Sequence, residues 1–299
     1  MGKRIKNTLI YVGLRFFAGL LRLLGLRCAR RFCRWLGRWV WRLAGTERRR
    51  SLKHLAWAFP EMLESEREAL GRRSFVHLGE GLAEVVCASR ILDWDTYADF
   101  EPGSRELLTQ AMGPGKGVVL VSGHIGNWEI MGRALVQHGF PMNVIGKKSY
   151  DPRLTRLLVE SRRQGRIHII WRGEADIFQR MLGVLSSGQI LGLLIDQDTR
   201  VPSVFVPFFG KLAATSTAPA MVARHTGAPM VCCFNHRRAD GGMRITVQRI
   251  LPSELENKEQ ALLEDTRALS ACIEAHIRAH PTEWIWMHRR WKTRPPGAQ

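Results

Sequence analysis

Hydrophobic and polar positions divide this chain into two textures. Up to about residue 92 the apolar positions recur at helical spacing. Residues 8–26 and 28–44 read as two helices, 52–59 as a third that Pro60 stops, and 65–92 as a long amphipathic one. Beyond that point short apolar runs alternate with helical stretches. The runs at 117–123, 142–146, 167–171, 190–195, 230–234 and 243–248 predict strands. Between most of them, 128–138, 152–164, 175–186 and 216–226 predict helices, and a final helix is expected over 258–279. Strands alternating with helices imply an α/β fold, with a mixed, mostly parallel central sheet covered by helices. The turn residues at 239–242 predict a hairpin, and so an antiparallel pair at one edge. No internal repeat or low-complexity segment interrupts this order.

Charge changes the picture at the amino-terminal end. Of a net +18, residues 1–50 carry +13, from fourteen Lys or Arg against Glu47 alone. The same stretch is rich in Leu, Phe and Trp. Its apolar runs at 9–14, 16–21 and 23–26 are broken only by Arg15 and Arg22, which share a helix face. Arg30, Arg31, Arg34, Arg38 and Arg42 follow, interleaved with Phe32, Trp35, Trp39 and Trp41. A basic helix with large aromatics suits an anionic bilayer surface. Residues 8–26 are long enough to span, but two central arginines make spanning expensive. An in-plane anchor and a single pass therefore both stay open. The interrupted apolar stretch, with no small-residue cleavage site after it, argues against a removable signal peptide. An arm for nucleic acid has little use for so much Leu and Phe. The six cysteines include no C-x-x-C pair, which favours buried free thiols over zinc or disulfides.

Candidate chemistry collects at predicted strand ends. His124 follows the apolar run 118–123 at once, and Glu129 lies just inside the next helix. In open α/β sheets that edge is where ligands bind. A histidine with a carboxylate partner takes a proton from a hydroxyl near neutral pH. Five residues apart on one helix, the two would sit about 140° from each other. They meet only if His124 lies outside the helix and the Gly126-Asn127 turn folds the chain back. Arg172 ends another strand run, where an arginine can hold a phosphate or stabilise an oxyanion. Asp196 and Asp198 end a third. Without a histidine or a further acid beside them, hydrogen bonding to loop amides or to a sugar is a more economical reading than metal binding. The run Val204–Gly210 reads as an apolar loop before a helix, either core or a wall for an acyl chain. The tail Glu283–Arg294 mixes aromatics and bases in a way that suits a membrane interface. No G-x-S-x-G, Walker loop or dinucleotide fingerprint is present.

Several phrases together carry a resemblance. AFPE at 58–61, GKGVVLVSGHIGNWE at 115–129, DQD at 196–198, VFVPFFG at 204–210 and WMHRRWKTRP at 286–295 stand in an order and spacing that resemble the bacterial lipid A biosynthesis acyltransferases. The resemblance covers nearly the whole chain. It implies a glycerolipid acyltransferase-like sheet (residues 46–299) behind an amino-terminal membrane anchor (1–45). It also implies that a fatty acyl chain moves from an acyl carrier protein or coenzyme A thioester to a hydroxyl of a lipid A precursor. The family's His-x4-Asp/Glu motif makes His124 the expected general base and Glu129 its carboxylate partner. Arg172 falls where the family has an arginine implicated in substrate or transition-state binding. Asn127, Trp128, Asp196 and Asp198 are expected beside the substrate. Ser122-Gly123 departs from the residues many members carry there.

No cofactor and no metal are expected. The implied partners are acyl carrier protein, a phosphorylated glycolipid acceptor and an anionic membrane, with no nucleic acid. The implied place is the cytoplasmic face of the bacterial inner membrane. Another glycolipid or aminolipid acceptor, or a non-catalytic membrane-binding relative, are the alternative readings.

Overall fold

The structure, a computed structural model, describes residues 2–113, 115–295 and 297. Three helices open the chain: α1 (Gly2–Leu43), α2 (Gly45–Ala58) and α3 (Glu64–Val86). Helix α1 is in effect the two expected helices, because Gly25 breaks it with φ 70° and ψ 165°. The segment before the break leaves Leu9, Phe16 and Leu23 largely exposed. Among the described residues, 5–43 is the one helix long and apolar enough to cross a membrane. The segment after the break packs on α3, with Ala29 and Cys33 against Ala83 and Cys87. The crossing is close. A Cβ on Gly37 would lie 2.6 Å from the Phe75 carbonyl oxygen, so a larger residue there would push the helices apart.

The chain continues through a short helix α4 (Trp94–Tyr97), β1 (Ala98–Phe100) and α5 (Ser104–Met112). The alternating region then runs β2 (Val118–Ser122), α6 (Trp128–Gln137), β3 (Met142–Gly146), α7 (Pro152–Gln164), β4 (His168–Trp171), α8 (Ile177–Ser186) and β5 (Ile190–Leu194). A hairpin follows, β6 (Ser203–Phe208) with β7 (Lys211–Ser216), then α9 (Ala218–Thr226), β8 (Met230–Arg237), β9 (Met243–Ile250) and α10 (Lys258–Ala279).

Seven strands form the main sheet in the order β1-β9-β8-β2-β5-β3-β4. Strands β8, β2, β5, β3 and β4 are mutually parallel, and β9 turns back antiparallel on β8, as the turn residues predict. Strand β2 is buried along its whole length. Val119 and Val121 face the core under α8, α9 and α10, and Val118 and Leu120 face the core under α5 and α6. The chain leaves β2 through α6 toward β3, and leaves β5 through the hairpin and α9 toward β8 on the other side of β2. The two connections leave to opposite sides there, and in open α/β sheets such a point, here at the carboxyl ends of β2 and β5, is where a ligand crevice is expected.

Two expectations need correction. Residues 204–210 are not a loop but part of an antiparallel hairpin. Phe208 and Phe209 are buried and pack with Phe59, Trp284 and Trp286, so they serve the core rather than an open wall. The tail also turns inward more than its composition suggests. Trp284, Trp286 and Arg290 are all fully buried. Arg290 sits over the Phe208 ring and donates to the Ala214 carbonyl and, at 2.5 Å, to the Thr215 hydroxyl. Burial, against the pull of Asp196 and Asp198, brings its guanidinium down to about 10.

Candidate active site

His124 stands just past the carboxyl end of β2, and Asp196 just past that of β5. The two strands are hydrogen-bonded neighbours, with Ser122 opposite Leu194. Register thus brings together residues 72 positions apart. The His124 Nδ1 lies 2.8 Å from Asp196 Oδ1. The His124 main-chain N–H donates to Oδ2, also at 2.8 Å, and the Trp284 indole N–H donates to Oδ2 at 2.8 Å. The carboxylate is fully buried. Burial alone would raise its pKa, but the His124 ring and these three hydrogen bonds outweigh it and hold Asp196 at about 2. The imidazole is only partly buried. Since Nδ1 is engaged, Nε2 is the nitrogen left to meet a ligand, with no hydrogen-bond partner among the described residues.

The expected contact between His124 and Glu129 is not formed. The helix start explains why. Gly126 takes φ 59°, and its N–H donates to the Glu283 carbonyl. A Cβ there would collide with the Asn235 carbonyl and side-chain oxygens, so the turn requires glycine. Asn127 then caps α6, its side chain accepting from the Ile130 N–H. In this geometry it is Trp128 that reaches the histidine, ring edge to face at 4.9 Å. Glu129 swings toward α7, where Arg162 grips it through two bonds of 2.5 and 3.2 Å. Arg162 keeps Nη1 buried without a partner.

Asn127 is engaged within the protein. It is buried, donating to the Gly81 carbonyl and to Glu84, and its own N–H donates to Asn235. Glu84 is the centre of a buried charge cluster. Arg237 pairs with it through two bonds of 2.6 and 3.0 Å, and Arg30 of α1 approaches to 3.5 Å while bonding Glu80. Burial would raise the Glu84 carboxyl, but Arg237, Asn127 and Arg30 together lower it. Asp198 is engaged too: it accepts from the Thr293 N–H and hydroxyl, pinning the tail.

Arg172 is half-buried at the end of β4, and its guanidinium has no hydrogen bond or ion pair among the described residues. It shares the sheet edge with His124. Strand β4 lies three places from β2, however, or about 14 Å at ordinary interstrand spacing.

Asp196 carries a stability prediction. Its folded value lies below the ordinary carboxyl value of 3.8, so it stabilises the fold above about pH 4. That contribution, on the order of 2 kcal/mol, is lost as pH falls from about 4 toward 2. Urea unfolding midpoints measured across this window should drop in the unsubstituted protein and drop less in Asp196→Asn.

Sequence reasoning named Asp196 but not its partnership with His124, and missed Trp284, Arg162 and the Glu84 cluster. Knowledge of the strand order would have revealed the first, since Asp196 ends an apolar run just as His124 does. The others depend on side chains converging from helices, for which no local signal exists.

Comparison with known proteins gives the family. Residues 4–293 match the family model described as bacterial lipid A biosynthesis acyltransferase. The lipid A biosynthesis lauroyltransferase of Escherichia coli K12 is 30% identical, over 82% of this chain and 79% of its own length. The lipid A biosynthesis palmitoleoyltransferase of the same organism is 28% identical, over 84% and 81%. A phosphatidylinositol mannoside acyltransferase of Mycolicibacterium smegmatis is 29% identical, over 62% and 60%. With a match that runs through the crevice and almost from end to end, the chain belongs to the bacterial lipid A biosynthesis acyltransferases.

Proposed function

We propose that this protein moves a fatty acyl chain from an acyl carrier protein thioester to a hydroxyl of a lipid A precursor, at the cytoplasmic face of the inner membrane. The observation that carries the reading is the His124–Asp196 contact at the crevice, with Nε2 left to face a substrate. Asp196 holds the proton on Nδ1, so Nε2 presents a lone pair. That lone pair takes the acceptor hydroxyl's proton as the oxygen attacks the thioester carbonyl carbon. When the tetrahedral intermediate collapses, the carbon–sulfur bond breaks and the imidazolium returns its proton to the leaving thiolate. Trp128 packs on the imidazole and limits its rotation. Glu129 acts through Arg162, whose guanidinium it holds in place with two bonds. No covalent acyl-enzyme and no metal are needed.

Charge and greasiness fit the same reading. The exposed apolar face of α1 before Gly25 would dip into the bilayer, where acceptor and product reside. The +13 of the first fifty residues would draw acidic partners, both acyl carrier protein and phosphorylated lipid. Arg172 is assigned to an acceptor phosphate.

Purified protein in detergent should acylate a lipid A precursor from acyl carrier protein thioesters, read by mass spectrometry. Coenzyme A thioesters and a panel of other glycolipids, including a mannosylated phosphatidylinositol, are the comparison arms. Transfer only to another glycolipid would replace the acceptor assignment, and lipid binding without any transfer would sink the enzyme assignment. Arg172→Ala should raise the KM for the acceptor about tenfold or more with a smaller change in kcat. Arg172→Lys should recover most of the loss if charge matters more than fork geometry.

A further inference from the structure

We propose that His236, His276 and His280 form a site for a divalent transition-metal ion, zinc being the best fit, which clamps the end of β8 to the end of α10. His276 lies in the last turn of α10, His280 is the residue that caps its end, and His236 is the second-last residue of β8. A ligating nitrogen from each lies within 4.8 Å of the other two. All three rings are half-buried. His236 Nδ1 and His276 Nε2 are buried without a hydrogen-bond partner among the described residues. Buried polar atoms ordinarily have partners, and two orphaned imidazole nitrogens in one histidine cluster are what a missing shared partner leaves.

The surroundings suit a cation. Phe234 stacks on His276 at 4.5 Å and screens it from water. Glu283 is the acid acting on His280; its Oε1 accepts from the Arg237 N–H, and its Oε2 is buried without a hydrogen bond. The nearby guanidinium groups are neutralised elsewhere, Arg237 on Glu84 and Arg278 on Glu274. Three neutral imidazoles with no thiolate favour zinc, cobalt, nickel or copper over magnesium or calcium. Tetrahedral zinc would need nitrogen separations of roughly 3.3 Å. Binding would therefore require the rings to turn and the parallel stack of His236 on His280, at 4.0 Å, to open.

The site lies outside the reacting crevice, but the segment it would hold feeds that crevice. Directly after His280, the Glu283 carbonyl fixes the Gly126 turn and Trp284 bonds Asp196. Occupancy would therefore stiffen the support of the His124–Asp196 pair without entering the reaction. The inference does not depend on which lipid is the acceptor.

The test uses the full chain in detergent, stripped with a chelator and titrated with cobalt(II) or zinc. One ion per chain should bind at about micromolar affinity or tighter, with a cobalt spectrum of nitrogen ligation. His276→Gln and His280→Gln should each weaken binding on the order of 100-fold. Zinc should raise the Tm of the unsubstituted protein but not of these variants. His236→Asn, at the strand end, gives a third reading if a helix variant fails to fold. Uptake unchanged in the variants, a thiolate-to-cobalt charge-transfer band, or no saturable uptake would each overturn the site.

Discussion

Asp196→Asn is expected to slow acyl transfer on the order of 10³- to 10⁴-fold while leaving lipid binding intact. The reasoning is one of donors and acceptors. Oδ2 receives two N–H groups, from the His124 main chain and from Trp284, so an asparagine must place its carbonyl there. Its NH2 then faces His124 Nδ1 and donates to it. That forces the ring proton onto Nε2, and the nitrogen aimed at the substrate loses its lone pair. His124→Ala removes the base outright and should cost at least as much. Glu129→Ala should also impair transfer, but through a displaced Arg162, so Glu129→Gln should retain more activity than Asp196→Asn. Steady-state assays with acyl carrier protein thioesters check all four. Near-wild-type turnover in His124→Ala or Asp196→Asn would overturn the pairing.

Glu84→Ala should have the largest effect on stability, about 3–5 kcal/mol. Its carboxylate is fully buried between Arg237, Arg30 and Asn127. Removing it leaves the Arg237 guanidinium with the more distant Glu80 at 3.6 Å as its acid and the Gly241 carbonyl as an acceptor, and it takes one of two acceptors from the Asn127 amide. Glu84→Gln keeps the shape and should cost less. Denaturant unfolding monitored by tryptophan fluorescence gives the comparison. Glu84→Ala should also lower kcat, because Asn127 caps the helix that begins at Trp128, four residues after His124.

Much of the fold was legible because period is legible. Strands β2, β3, β4 and β5 are short apolar runs bounded by turns, and α7 and α10 fall at 152–164 and 258–279 as their spacing predicts. Gly25 divides α1 where the pattern of arginines changes. The hairpin β6–β7 was missed because Pro207 and paired phenylalanines hide its alternation. At the site, strand ends were visible but strand neighbours were not. His124 and Glu129 are close in sequence, so they suggested each other. The sheet order that sets Asp196 beside His124 depends on how α6 and the β6–β7 hairpin cross the sheet, which no local pattern encodes.

The Arg30 guanidinium reaches from α1 into the acids of α3, and those acids hold the cap of the helix behind His124. A genetic screen for inactive proteins should therefore return lesions at Arg30 or Gly37 alongside those at the crevice. Such alleles would mimic loss of catalysis although they touch no substrate, and anchoring assays alone would pass them as normal.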